Sequence, residues 1–224
     1  MSKAHSLLNN RKFLVPMATI LLLLVVDQWI KTYIKGHFML GEIKPVFGDW
    51  FKLYFIENDG MAYGMKLFGG GKVGKLILTF FRLIVSGFGF WYLIKCIRNE
   101  ANWGLLICIA LVLAGALGNI IDSVFYGVIY ADTNQYLGGW FEGQVVDMFY
   151  APMWEGHLPS WLPIWGGEFF VFFSPIWNFA DACITVGVAV MVVGQNTFFS
   201  KEEMEKAFGT SPVETPNNDS DSPQ

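Results

Sequence analysis

The chain has 224 residues, 15 of them Lys or Arg and 19 Asp or Glu, for a formal net charge of −4. Hydrophobic residues make up 54% and charged residues only 15%, against about 25% charged in ordinary soluble domains, and mean hydropathy is +0.42. These values exclude an ordinary soluble domain, give no basis for nucleic-acid binding and suit a membrane protein.

The chain opens on a polar N-terminus, residues 1–12, containing Lys3, Arg11 and Lys12. Four apolar stretches follow, at residues 13–34 (with LLLLVV), 73–94, 103–125 and 169–196. Each is long enough to span, which takes about 20 residues. Backbone groups in lipid must be paired within the segment, so these stretches are predicted helices; a membrane barrel would show short alternating strands instead. The first run is too long for the apolar part of a signal peptide. Asp27, Gln28 and Lys31 follow it rather than a small-residue cleavage site, so it reads as a retained helix. The fold class expected is an all-α membrane protein with four transmembrane helices. Residues 13–197 form the membrane domain, with outer segments at about 35–72 and 126–168 and a disordered tail at 198–224.

The first outer segment contains DWFKLYFIEND, rich in strand-forming residues, and predicts a small β-like cradle on the membrane surface. The second is an aromatic loop. Its APMWEGHLPSWLPIWGG stretch is dense in Trp and Pro, and Trp favours the headgroup level. From Gly209 the tail is polar, acidic and Pro-containing, a composition that does not build a core. Cys96, Cys108 and Cys183 lie in or near helices, and their odd number argues for buried thiols over a disulfide framework.

Basic residues set the orientation. Lys3, Arg11 and Lys12 precede the first helix, Lys95 and Arg98 sit between the second and third, and Lys201 and Lys206 follow the fourth. Residues 127–168 contain no Lys or Arg. Both termini are therefore expected in the cytoplasm, although the lysines of residues 35–72 run against that count.

That topology brings four aspartates to one depth near the outer surface. Asp27 lies in the last third of the first helix, Asp122 near the end of the third, Asp181 in the first half of the fourth, and Asp147 in the outer segment. Asp27 and Lys31 share a face at i,i+4 spacing; Asn119 with Asp122, and Asn178 with Asp181, share one at i,i+3. Carboxylates in a bilayer are costly and mark a task. His5, His37 and His157 are scattered and there is no HExxH, so metal hydrolysis is disfavoured. No GxSxG supports serine chemistry. A carboxylate pair sharing one proton remains, one member acting as base on a water and the other as acid. A small proton-coupled transporter using the same carboxylates and a structural or assembly protein are the competing classes. A relay should cross the membrane, whereas these acids gather at one face.

Five motifs carry a resemblance: DQWIK at 27–31, NDGMAYGM at 58–65, GALGNIID at 115–122, VVDM at 145–148 and WNFAD at 177–181. In this order the chain resembles bacterial lipoprotein signal peptidase, or signal peptidase II, over residues 13–197. The resemblance implies a catalytic dyad of Asp147 and Asp181. It implies that Asn58, Gly60, Asn119, Asp122, Asn178 and Ala180 shape or brace the site, with Asp27 and Lys31 in support. It implies an aspartic endopeptidase of the bacterial cytoplasmic (inner) membrane, needing neither metal nor cofactor. That enzyme cleaves lipid-modified prolipoproteins before the diacylglyceryl-cysteine, near the outer face, and is expected as a monomer among membrane lipids.

The chain also departs from the family pattern. Ser123 stands where the family usually has Arg, so a basic partner for Asp122 must come from elsewhere, with Lys31 a candidate. Residues 123–146 and 148–177 are longer than in the common pattern. Plainer readings stand beside the functional ones. Asp27 and Lys31 can be a helix-end ion pair, Asn119 and Asn178 can join helices, and Asp122 can be structural. Arg82, inside the second helix, can pair with a carboxylate or snorkel. Asp132, Glu142, Glu155 and Glu168 read as solvated loop charges and His157 as interfacial.

Overall fold

The computed structural model describes residues 10–59, 71–134, 136, 138–172 and 175–199. Three long helices carry the structure: α1 (Arg11–His37), α2 (Gly71–Arg98) and α3 (Trp103–Ile129). Each is long and apolar enough to cross a membrane; at 1.5 Å per residue they measure about 40 Å. Asn10 caps α1 by accepting from the Lys12 N–H at 2.9 Å, and Asn102 caps α3 through the Gly104 N–H at 2.7 Å. Leu21, Leu22, Val25 and Trp29 of α1 and Phe81, Ile84, Phe88 and Trp91 of α2 are exposed, an outward face that suits lipid rather than water.

The fourth apolar stretch is not one continuous helix. Phe169–Phe172 is strand β5, Ile176–Trp177 is strand β6, and only Phe179–Val193 is helical, as α4, followed by the short α5 (Gln195–Phe198). The expectation of four full spans is corrected to three long apolar helices and one shorter one of 15 residues. The Phe-rich run favours strand. Pro175 cannot continue a helix, and Asn178 caps the helix that starts after it.

Strands β1 (Ile43–Phe47), β2 (Phe51–Asn58) and β3 (Val145–Tyr150) join β6 in an antiparallel sheet of order β1-β2-β3-β6. The expected cradle is therefore a sheet built from both outer segments, with Ile56 opposite Asp147 and Asn58 opposite Val145. A second, two-stranded sheet pairs β4 (Trp154–His157) with β5 inside the aromatic loop.

Two cores divide the molecule. Leu93 and Ile97 of α2 pack with Ile20 of α1 and Leu106, Ala110 and Leu113 of α3. Toward the other end, Ile34, Phe55, Tyr126, Val146 and Met148 join α1 and α3 to the sheet. The site lies between these cores. Two loop charges expected to be solvated are paired instead: Glu142 with Lys72 at 2.7 Å, and Glu155 with Lys52 at 3.2 Å and the Tyr150 hydroxyl at 2.9 Å. Cys96, Cys108 and Cys183 are buried thiols outside any disulfide.

Candidate active site

The site starts from two glycines of the GALGNIID motif on α3. A Cβ at Gly115 would overlap the Ala180 carbonyl and stand 2.7 Å from Ile184 Cγ1; one at Gly118 would stand 2.5 Å from Asp27 Oδ2. Their absence of side chain lets α4 and α1 close onto α3 at the level of the aspartates. Asp27 Oδ1 then accepts from the Ala180 N–H at 3.0 Å. A carboxylate there meets the positive end of the α4 dipole and pairs one of its free N–H groups.

Lys31 binds both structural carboxylates, Asp27 at 2.9 Å and Asp122 at 2.7 Å, with all three side chains essentially inaccessible. Gln28 closes the group, donating to Asp122 Oδ1 at 2.9 Å and Asp27 Oδ2 at 3.1 Å while accepting from the Tyr126 hydroxyl at 3.0 Å. Asp122 Oδ2 also accepts from the Val146 N–H at 3.4 Å, fixing β3 one residue before Asp147. The basic partner of Asp122 is thus Lys31, as the sequence suggested. Ser123 spends its hydroxyl on the Asn119 carbonyl at 2.9 Å.

Asparagines connect this group to the remaining pair. Lys31 donates to Asn119 Oδ1 at 3.0 Å, and Asn119 Nδ2 donates to Asp181 Oδ1 at 2.8 Å. Asn178 is the N-cap of α4. Its side-chain oxygen accepts from the Asp181 N–H at 2.9 Å, and its backbone N–H reaches Asp181 Oδ2 at 3.4 Å, a reciprocal capping box. Its Nδ2 donates to Asp147 Oδ1 at 2.7 Å and to Asn119 Oδ1 at 3.2 Å. Asn58, at the end of β2, donates to Asp147 Oδ2 at 3.1 Å. Burial, and next the charge of Asp181, push the Asp147 carboxyl up to about 7 against the pull of Asn58 and Asn178. A carboxyl raised in this way is partly protonated near neutral pH.

The structure brings together Asp27, Lys31, Asn58, Asn119, Asp122, Asp147, Asn178, Ala180 and Asp181. Gly60 lies outside the described residues. Gln28 is the site residue that sequence reasoning missed; its signal was its position inside DQWIK, beside Asp27. Among the described residues, no group of three or more His, Cys, Asp or Glu is arranged to hold a metal ion.

A model of the signal peptidase (SPase) II family matches residues 19–197. The chain belongs to that family. It is 47% identical over 190 residues to a lipoprotein signal peptidase of Porphyromonas gingivalis, covering 80% of this chain and 81% of that protein. A lipoprotein signal peptidase of Amoebophilus asiaticus is 38% identical over 180 residues, with 77% and 74% covered. One of Lactococcus lactis is 31% identical over 182 residues, with 81% and 93% covered. A bacterial membrane enzyme solved by the in meso method at 2.3 Å resolution has the same fold, with a TM-score of 0.53 at 21% identity, covering 90% of this chain and 94% of that one. The protein is a membrane aspartic peptidase of the signal peptidase II family. These relatives lend the transporter alternative no support.

Proposed function

We propose that Asp147 and Asp181 are the catalytic dyad with which this enzyme removes the signal peptide from lipid-modified prolipoproteins, cutting before the diacylglyceryl-cysteine. The observation that carries the reading is Asn178, which caps Asp181 and donates to Asp147 in one hydrogen-bonded unit. The ionised carboxylate takes a proton from a water, the water oxygen attacks the scissile carbonyl, and the protonated partner donates to the carbonyl oxygen. Asn58, Asn119 and Asn178 hold the two carboxyls in place. Asp27, Lys31, Asp122 and Gln28 brace the helices that carry them, and Gly60 belongs to the site by the family pattern. No metal or cofactor enters the reaction.

The enzyme sits in the bacterial inner membrane with both termini cytoplasmic, as a monomer among lipids, and with its site near the outer face. In support, Lys12 binds the Glu100 carbonyl at 2.7 Å and the Glu100 carboxylate at 3.0 Å. The start of α1 and the basic α2–α3 turn therefore share one side, opposite the sheet. Labelling near Asn134 from outside and near Asn99 from the cytoplasm tests the orientation. For the chemistry, a purified lipid-modified precursor is incubated with the enzyme, with Asp147→Asn and with Asp181→Asn. Both variants should lose about three orders of magnitude or more in kcat while remaining folded, and chelators should leave the wild type active. Near-normal turnover by either variant would falsify the dyad.

A further inference from the structure

The pairing of β2 with β3 ends beside Asp147. Its last register pair on that side is Asn58 opposite Val145. Asn58 is the final residue of β2, and its amide is what reaches Asp147 Oδ2 at 3.1 Å. Strand ends open more readily than strand centres, so this hydrogen bond depends on whatever closes the pair beyond Asn58.

Asp59 and Lys75 close it. Asp59 Oδ1 accepts from Gln144 Nε2 at 2.8 Å, which joins the residue after β2 to the residue before β3. The same oxygen accepts from Lys75 Nζ at 3.2 Å, and Lys75 also donates to the Glu142 carbonyl at 2.7 Å. One ammonium on α2 therefore holds the chain just beyond both strands. Neighbouring contacts fix the frame. The Tyr136 hydroxyl accepts from the Gln144 N–H at 3.0 Å, and its ring centre lies 5.5 Å from Lys75 Nζ. Phe80 of α2 stacks on Phe141, with ring centroids 5.7 Å apart. A Cβ at Gly143 would overlap the Asp122 carbonyl, so the loop before β3 lies directly on α3.

The placement of Lys75 runs against two physical preferences. It stands near the N-terminus of α2, the positive end of the helix dipole, where a cation is disfavoured. It is also only 7% exposed, and a buried charge loses its hydration. Lys72, three residues earlier, pairs with the Glu142 carboxylate from an exposed position. An apolar residue at position 75 would avoid both penalties but could not bind Asp59 and the Glu142 carbonyl together.

We propose that Lys75 is a positioning residue for Asp147: through Asp59 and the Glu142 carbonyl it closes the β2–β3 end and so keeps the Asn58 amide on the Asp147 carboxyl. The proposal rests on the dyad reading above. The link runs from Lys75 to Asp59, from Asp59 to its chain neighbour Asn58, and from Asn58 to Asp147.

The test is a double-mutant cycle read by cleavage of a purified lipid-modified precursor in detergent. Lys75→Met should lower kcat about tenfold and leave KM within about twofold, since the acid is misplaced while the substrate still binds. In an Asn58→Ala background the same change should cost less than about twofold more, because the amide through which Lys75 acts is already gone. A lysine that only supported the fold would cost the same factor in both backgrounds. Lys75→Arg, which keeps donors for both acceptors, should restore most of the wild-type kcat. Hydrogen exchange gives a readout independent of turnover: amides at 57–58 and 145–147 should exchange faster in Lys75→Met, with those of α4 unchanged. Asp59→Ala serves where Lys75→Met does not fold, since the Asp59 side chain is 51% exposed; it should show the same coupling and the same exchange. Equal factors in both backgrounds, or unchanged exchange at the β2–β3 end of a folded variant, overturns the proposal. Asp147→Asn, with Lys75 intact, is the control; its activity would instead overturn the dyad and leave the exchange result standing.

Discussion

Asn178 Nδ2 lies 2.7 Å from Asp147 Oδ1, although the two residues are 31 positions apart and belong to different elements. The same side chain caps α4 through the Asp181 N–H. A single asparagine thus fixes the start of the helix bearing one acid and the orientation of the other. A serine in its place keeps a capping oxygen but has no amide to reach Asp147.

Asn178→Ser should therefore separate the two roles. Serine is about as good a cap as asparagine, so stability should change by a few tenths of a kcal/mol, whereas alanine should cost about 1 kcal/mol. Both should lower kcat about a hundredfold or more, because Asp147 loses its shortest hydrogen bond. Thermal unfolding and cleavage assays on the two variants check this. A serine variant as active as wild type would show that the Asp147 contact is dispensable.

Asp147 also gives stability a pH dependence. Its carboxyl sits near 7 when folded, against an ordinary value of 3.8, because of burial first and Asp181 second. A carboxyl raised in the folded state binds its proton more tightly there than in the unfolded chain. Its stabilising contribution is complete below about pH 4 and is lost as pH rises through about 7. Asp147→Asn, neutral at every pH, should remove that slope and raise the apparent Tm at pH 8 while abolishing activity. A Tm difference between variant and wild type that stays constant from pH 4 to 8 contradicts this account.

Lys31 is the structural hub. It is fully buried between Asp27 and Asp122, and removing it leaves two carboxylates facing each other without a cation. Breaking a buried pair from one side costs about 3–5 kcal/mol, so Lys31→Met should be poorly folded. Adding Asp27→Asn and Asp122→Asn should recover a large part of the loss. Normal melting of Lys31→Met would mean that water or lipid headgroups reach this cluster.

The sequence made the site more legible than the fold around it. Carboxylates at one depth marked Asp27, Asp122, Asp147 and Asp181, because burying charge in an apolar segment is costly enough to be informative; only the resemblance to signal peptidase II singled out Asp147, Asp181 and the asparagines. Spacing alone also joined Asp27 to Lys31. The fourth span was misjudged because residues 169–196 are mostly apolar, and hydropathy does not distinguish a Phe-rich strand from a helix; Pro175 and the Asn178 cap carried the missing boundary. Gln28 was passed over since an amide beside a conspicuous acid has no signature until its partners Asp122 and Tyr126 are brought to it.

The aromatic loop yields the last prediction. Its β4–β5 hairpin holds Trp154 against Phe170, with ring centroids 6.4 Å apart, and leaves Trp154, Trp161 and Trp165 exposed at 45%, 78% and 56%. Neighbouring Phe169 and Phe172 are exposed as well, so the hairpin offers a connected apolar surface close to the sheet that carries Asp147. Such a surface with amphipathic rings suits the headgroup layer, where it would steady the loop beside the path a lipid-bearing substrate takes to the dyad. Each ring adds binding that is the same before and during the reaction. Replacing Trp154, Trp161 and Trp165 together with Ser should therefore raise KM severalfold with little change in kcat. Tryptophan emission of the wild type in vesicles should be blue-shifted and accessible to quenchers placed at headgroup depth. Unchanged kinetics in the triple variant, together with emission typical of water-exposed indole, would show that the hairpin stands clear of the membrane and takes no part in substrate capture.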